Sequence, residues 1–151
     1  MVGVAFLKSS GGNIDNVGWI IPVPVVNTFL AQFVQHQDYH GMNQLGFRYQ
    51  KLENATFRKS MGMQEEQTGI LVTEVAPLGG WAGQLLPRDV ILAVDNVQVW
   101  NDGSTLALRD KEMIDFSYLI TSRMKGATTL KILRGGETHV ISSTLVGRYV
   151  R

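Results

Sequence analysis

A chain of 151 residues, 44% of them apolar and 18% charged, suits one ordinary domain or a small domain with an appendage. A formal net charge of +1 argues against a large electrostatic nucleic-acid footprint, and the lack of cysteine excludes disulfides and thiolate chemistry. The longest largely apolar run, Val17 to Val26, carries Pro22 and Pro24 and falls short of the roughly 20 residues of a membrane span.

Val2 to Leu7 (VGVAFL) reads as a buried strand, Lys8 to Asn16 as a turn-rich stretch, and Val17 to Ile21 as a second strand; together they predict a hairpin. The chain starts in mid-strand with no basic-then-apolar signal pattern, as expected of a fragment. From Pro24 the period changes. Val26, Phe29, Leu30, Phe33 and Val34 recur at helical spacing with Asn27, Gln32 and Gln35 opposite, which predicts an amphipathic helix with a proline in its first turn. His36 to Asn43 is polar and marks a boundary.

Beyond it, strands are predicted over Leu45–Leu52, Gly69–Val75, Asp89–Val94, Val97–Trp100, Thr128–Leu133 and His139–Leu145. Short helical turns are predicted over Asn54–Met61 and Trp81–Leu85, and a two-residue turn at Asp95-Asn96. Lys111 to Met124 reads as the longest helix of the second half, capped by Asp110 and stopped at Gly126. The fold class expected is mainly β with helices, α+β, able to close into a small, partly open barrel.

Several local patterns imitate chemistry. Ser10-Gly11-Gly12 looks like a serine nucleophile, but no base and orienting acid accompany it, so a surface turn is favoured. His36 and His40 have metal-ligand spacing but lack a third ligand, and Asp102-Gly103 lacks the acidic ladder of a calcium loop. No metal and no cofactor is expected. Arg48, Lys51, Arg58 and Lys59 form a modest basic cluster without interleaved aromatics, better read as a solvated face than as a nucleic-acid surface.

The stretch GILVTEVAPLGGWAGQLLPRDVILAVDNVQV resembles the central block of a PDZ domain of the Deg/HtrA serine proteases. NDGSTLALRDKEMIDFSYLI is similar to the insert and helix of the plant Deg type, and VGVAFLKSSGGNIDNVGWIIPVPVVNTFL to the end of the trypsin-like protease domain and its linker helix. Two departures stand out. Arg88-Asp89 occupies the place of the family's Gly-Asp, and the family's Gly-Asn-Ser-Gly-Gly-Pro nucleophile motif, its His and its Asp would lie upstream of these residues.

The resemblance implies a division into the last hairpin of a trypsin-like β-barrel (1–23), a linker helix (24–42) and a PDZ domain (43–151). It also implies a groove. Gln44, Leu45, Gly46 and Phe47 match the X-Leu-Gly-Phe carboxylate-binding loop, whose successive backbone N–H groups converge on an anion while glycine allows close approach. The peptide would pair with Phe47, Arg48 and Tyr49 as an added strand, against a wall from Phe116, Leu119 and Ile120. The expected function is the peptide-binding, regulatory portion of an ATP-independent serine endopeptidase of protein quality control, inactive alone. Its expected partners are unfolded or C-terminal peptides, with homo-oligomers in the full-length protein, in an organelle (chloroplast or mitochondrion) or the nucleus. The competing expectation is an occluded PDZ-like domain that serves assembly.

Overall fold

The computed structural model describes residues 3–11, 14–37, 43–106, 113–123 and 126–144. The chain divides into two compact units, Met1–Gly41 and Met42–Arg151.

In the first unit, β1 (Gly3–Gly11) and β2 (Ile14–Pro22) form an antiparallel pair, with register shifts between Ala5 and Leu7 and between Ser9 and Gly11. Both strands run further than their apolar residues predict. The polar stretch is drawn into the ladder, with Lys8 opposite Gly18 and Ser9 opposite Val17, because backbone pairing does not require apolar side chains. The helix α1 (Val23–His36) follows, and Gln37 ends it in the left-handed region at φ 53° with its N–H on the Phe33 carbonyl. The stripe Phe29, Leu30, Phe33 and Val34 lies exposed, while Gln32 is buried. His40, Gly12 and the stretch 38–42 lie outside the described residues.

The second unit is built on β3 (Phe47–Lys51), β4 (Ile70–Val75), β5 (Val90–Val94), β6 (Val97–Gln98), β9 (Ala127–Arg134) and β10 (Glu137–Thr144). They make a six-stranded sheet in the order β10-β9-β5-β4-β3, with β6 paired to β5, and every pairing is antiparallel. Among the described residues this sheet is open, not closed into a barrel. The apolar run of β5 is buried throughout because both faces of the sheet are covered. Ile70, Val72, Ile91, Leu130 and Ile132 face one core with Phe47, Trp81, Leu85, Phe116 and Ile120. Leu71, Val90, Leu92 and Leu133 face a second with Leu52 and Met63, flanked by Phe57 and Met61. Phe57 belongs to α2 (Ala55–Ser60), which starts where Asn54 Oδ1 accepts the Phe57 N–H at 3.1 Å.

The helix expected over Lys111–Met124 is not formed as such. Met113–Asp115 is a short strand, β8, paired with β7 (Ser104–Leu106), and only Ser117–Thr121 is helical, α3. Asp115 replaces Asp110 as the starting signal, since its Oδ1 accepts the Ser117 N–H at 2.9 Å. Asp110, Lys111 and Met124 lie outside the described residues. Trp81–Leu85 is a run of turns with an i→i−4 bond from the Leu85 N–H to the Trp81 carbonyl, not a helix.

Candidate functional site

The loop before β3 is tied at both ends and free in the middle. The Asn43 N–H donates to the Thr121 carbonyl at the end of α3 at 3.1 Å, and its side-chain amide donates to the Arg123 carbonyl. At the far end the Gly46 carbonyl accepts the Ala76 N–H at 2.9 Å. Between these anchors, the N–H groups of Gln44, Leu45 and Gly46 donate to no acceptor among the described residues. Gly46 is left-handed at φ 77°, a backbone that glycine adopts without penalty.

The register of β3 extends this donor cluster along the sheet. Because the Ala76 N–H bonds the Gly46 carbonyl, Phe47 and Val75 form a non-hydrogen-bonded pair. In such a pair the N–H and C=O of Phe47 point away from β4. No further strand pairs with β3 among the described residues. The sheet therefore presents an edge that can template an extended chain. A register shift between Arg48 and Tyr49 bends the strand just beyond.

Side chains around the edge are partly committed. Phe47 is buried and stacks with Phe116 at a centroid distance of 6.4 Å. Tyr49 meets Phe116 edge-on at 4.9 Å, and its hydroxyl donates to Asp115 Oδ2 at 3.0 Å. Burial, with the Asp115 carboxylate and this hydrogen bond behind it, raises the Tyr49 phenol to about 12. Arg48 pairs with Glu74 at 3.6 Å on the surface. On the helix side the wall differs from the expected one. Phe116 and Ile120 have no exposed surface and fill the core, which leaves half-buried Leu119, with Leu45 across the loop, as the apolar groups at the margin.

What lies against Gly46 is the chain's own loop. A β-carbon there would sit 3.4 Å from Trp81 Cδ1, 3.9 Å from Gly79 Cα and 4.0 Å from Gly80 N. By sequence alone Trp81 belongs to a short helical turn and has no part in the site. The doublet Gly79-Gly80 before a large aromatic was the available signal, because glycine marks places where backbones approach closely.

The other candidates resolve locally. Arg58 donates to the Leu52 and Glu53 carbonyls, both at 2.7 Å, so it braces the start of α2. Asp102 accepts the Ser104 hydroxyl and amide, which hold its carboxyl below the usual value in a tight turn. His139 lies exposed on β10. No metal-binding cluster occurs among the described residues. Nor, among those residues, is any helix long and apolar enough to cross a membrane. Cavities of about 310 Å³ and 200 Å³ lie elsewhere, the first beside Glu66 and Lys131, the second beside Arg88 and Arg134.

No protein-family model matches the chain. Among curated proteins of Arabidopsis thaliana, it is 38% identical over 140 residues to "Protease Do-like 4, mitochondrial", covering 92% of this chain and 26% of that protein. It is 34% identical over 137 residues to "Protease Do-like 2, chloroplastic", covering 90% of this chain and 22% of that one. The chain thus spans about a quarter of the length of the curated relatives it matches. Among solved structures, the HtrA-type protease AlgW with tripeptide aligns at TM-score 0.65 and 23% identity, over 100% of this chain and 46% of that one. AlgW with decapeptide aligns at TM-score 0.62 and 21% identity, over 100% and 43%. Fold and sequence agree: over the part of them that it spans, this chain is a homologue of the plant Do-like proteases, within the Deg/HtrA-like proteases.

Proposed function

We propose that residues 43–151 form a PDZ-like peptide-binding module, the regulatory portion of a Deg/HtrA-like ATP-independent serine endopeptidase of protein quality control. Residues 1–23 would be the closing hairpin of its protease domain and 24–42 the linker helix. The observation that carries this reading is the row of amides at Gln44, Leu45 and Gly46 that are unpaired among the described residues, continued by the outward-facing N–H and C=O of Phe47 at a sheet edge that no other described strand covers. A carboxylate fits the loop, and an extended backbone fits the edge. The peptides in the two AlgW structures are consistent with such use. Binding, not cleavage, is this chain's own chemistry on this reading, since Gly-Asn-Ser-Gly-Gly-Pro does not occur in it. The names of the relatives favour an organelle, mitochondrion or chloroplast.

Affinity for a single peptide is expected near micromolar or weaker, about −8 kcal/mol or less favourable. The test is a titration with labelled peptides that end in a free carboxylate, alongside the variant Gly46→Val. Saturable binding lost in the variant, with the fold kept by circular dichroism, supports the module. Equal binding by both proteins removes the loop from the site.

A second reading, an occluded PDZ-like domain serving oligomer assembly, is favoured by the burial of Phe116 and Ile120. A concentration-dependent oligomer in sedimentation, indifferent to peptide, would select it.

A further inference from the structure

We infer that the indole N–H of Trp81 is a further hydrogen-bond donor of the peptide site, reserved for a ligand's terminal carboxylate; this rests on the peptide-binding reading above. Trp81 has no exposed surface, and its Nε1 is one of two buried side-chain polar atoms that have no hydrogen-bond partner among the described residues. A buried donor without an acceptor carries its full desolvation penalty, and a native fold that tolerates one has a reason to do so. The position of the ring supplies that reason. Nε1 is bonded to Cδ1, and Cδ1 is the atom nearest the point where a β-carbon on Gly46 would stand, at 3.4 Å. The pyrrole edge, which carries the N–H, is thus packed on the same loop whose Leu45 and Gly46 amides lack acceptors among the described residues.

Among the described residues none of these donors is paired, and the two carbonyls beside them, of Gly46 and Gly80, already accept the Ala76 N–H and the Ser143 hydroxyl. An incoming group that satisfies backbone amides and an indole together must accept several hydrogen bonds at one end. A carboxylate does so with two oxygens; a terminal amide, with one acceptor oxygen and an NH₂ group, matches the donors poorly. The packed neighbours at this point are Gly79 and Gly80, which carry no side chains that a small shift of the loop would have to displace. Trp81 would therefore discriminate chain ends from internal segments, beyond what the loop amides achieve.

The experiment follows the side-chain indole resonances of the three tryptophans in the ¹⁵N-labelled chain, with the Trp81 signal assigned by Trp81→Phe. The probes are a decapeptide pool with apolar last residues and free α-carboxylates, and the same pool with amidated C-termini. The expected result is a saturable downfield shift of the Trp81 indole proton together with the Leu45 and Gly46 amides, given by the free-acid pool alone. Trp81→Phe should then lower affinity for that pool on the order of tenfold, as for loss of a hydrogen bond to a charged group. Movement of the loop amides with the indole signal unmoved overturns the role of Trp81 and leaves the peptide site standing. If neither the loop amides nor the indole responds, the peptide-binding reading itself fails.

Discussion

Arg88 shows how a single residue can depart from its family and leave a mark in the backbone. Glycine stands at the corresponding place in the Deg/HtrA pattern that the sequence resembles. The structure puts Arg88 at φ 77°, in the region that L-residues avoid, and its side chain is exposed. The left-handed penalty is roughly 1–2 kcal/mol, larger than the roughly 0.5–1 kcal/mol that glycine's extra freedom in the unfolded chain costs. Arg88→Gly is therefore expected to stabilise the domain by about 0.5–1 kcal/mol in urea denaturation, without loss of the bond from its N–H to the Val72 carbonyl. Tyr49 gives a second expectation at this scale. Its phenol is raised to about 12 in the folded state, above its ordinary value near 10. As pH rises from about 10 to 12 the unfolded chain gives up this proton first, so stability present below pH 10 is lost through that window. Phenolate absorbance should show a late-ionising tyrosine that disappears in Tyr49→Phe. A variant with an unchanged alkaline melting profile would remove Asp115 and burial as the cause.

At the scale of elements, local signals were legible and non-local ones were not. The Val-Ile-Leu-Ala-Val run of β5 announced a strand, and Asp95-Asn96 announced the two-residue turn that both residues make with positive φ. The short helical turn read over Asn54–Met61 corresponds to α2. By contrast, Met113–Asp115 is a strand only because Ser104–Leu106 lies beside it, and no periodicity within 111–124 encodes that pairing. The glycine at position 46 was conspicuous, yet the neighbour that packs on it, Trp81, is distant in sequence. The same limit hid the clasp that fastens the loop before β5 to β9. Arg134 donates to Asp89 through Nε at 2.7 Å and Nη2 at 2.6 Å, Nη2 also reaches the Gln84 carbonyl, and the Leu86 N–H donates to the same carboxylate. The Asp89 side chain is 2% exposed, so removal of Arg134 strands a buried carboxylate. Arg134→Ala is expected to cost about 3 kcal/mol, and adding Asp89→Asn should recover part of it, since a neutral amide is cheaper to bury. Chemical denaturation of both variants checks this; an additive double variant would show that the pair is not coupled.

At the scale of the whole molecule, the two units differ in what each can bury by itself. The second carries two cores on either side of its sheet, with Trp81, Phe116, Leu52 and Ile91 among its fully buried side chains. The first holds a two-stranded sheet and one helix whose Phe29, Leu30, Phe33 and Val34 remain exposed, Val34 at 79%. A two-stranded ribbon is marginal in water, and a partly exposed apolar stripe invites association. The Deg/HtrA relationship accounts for this on the proposed reading, because the hairpin would complete a barrel whose other strands belong to the protease domain. Two outcomes are expected. Limited proteolysis should release fragments of residues 1–41 while 69–144 stays intact by mass spectrometry, and the surviving part should still melt cooperatively. Phe33→Asp with Val34→Lys should lower the weight-average mass of the chain at high concentration in sedimentation equilibrium, while peptide affinity at the Gly46 loop is unchanged. If the arm outlasts the sheet under protease, or if the double variant associates as the parent does, the first unit is self-sufficient and does not need further strands of a protease barrel to cover it.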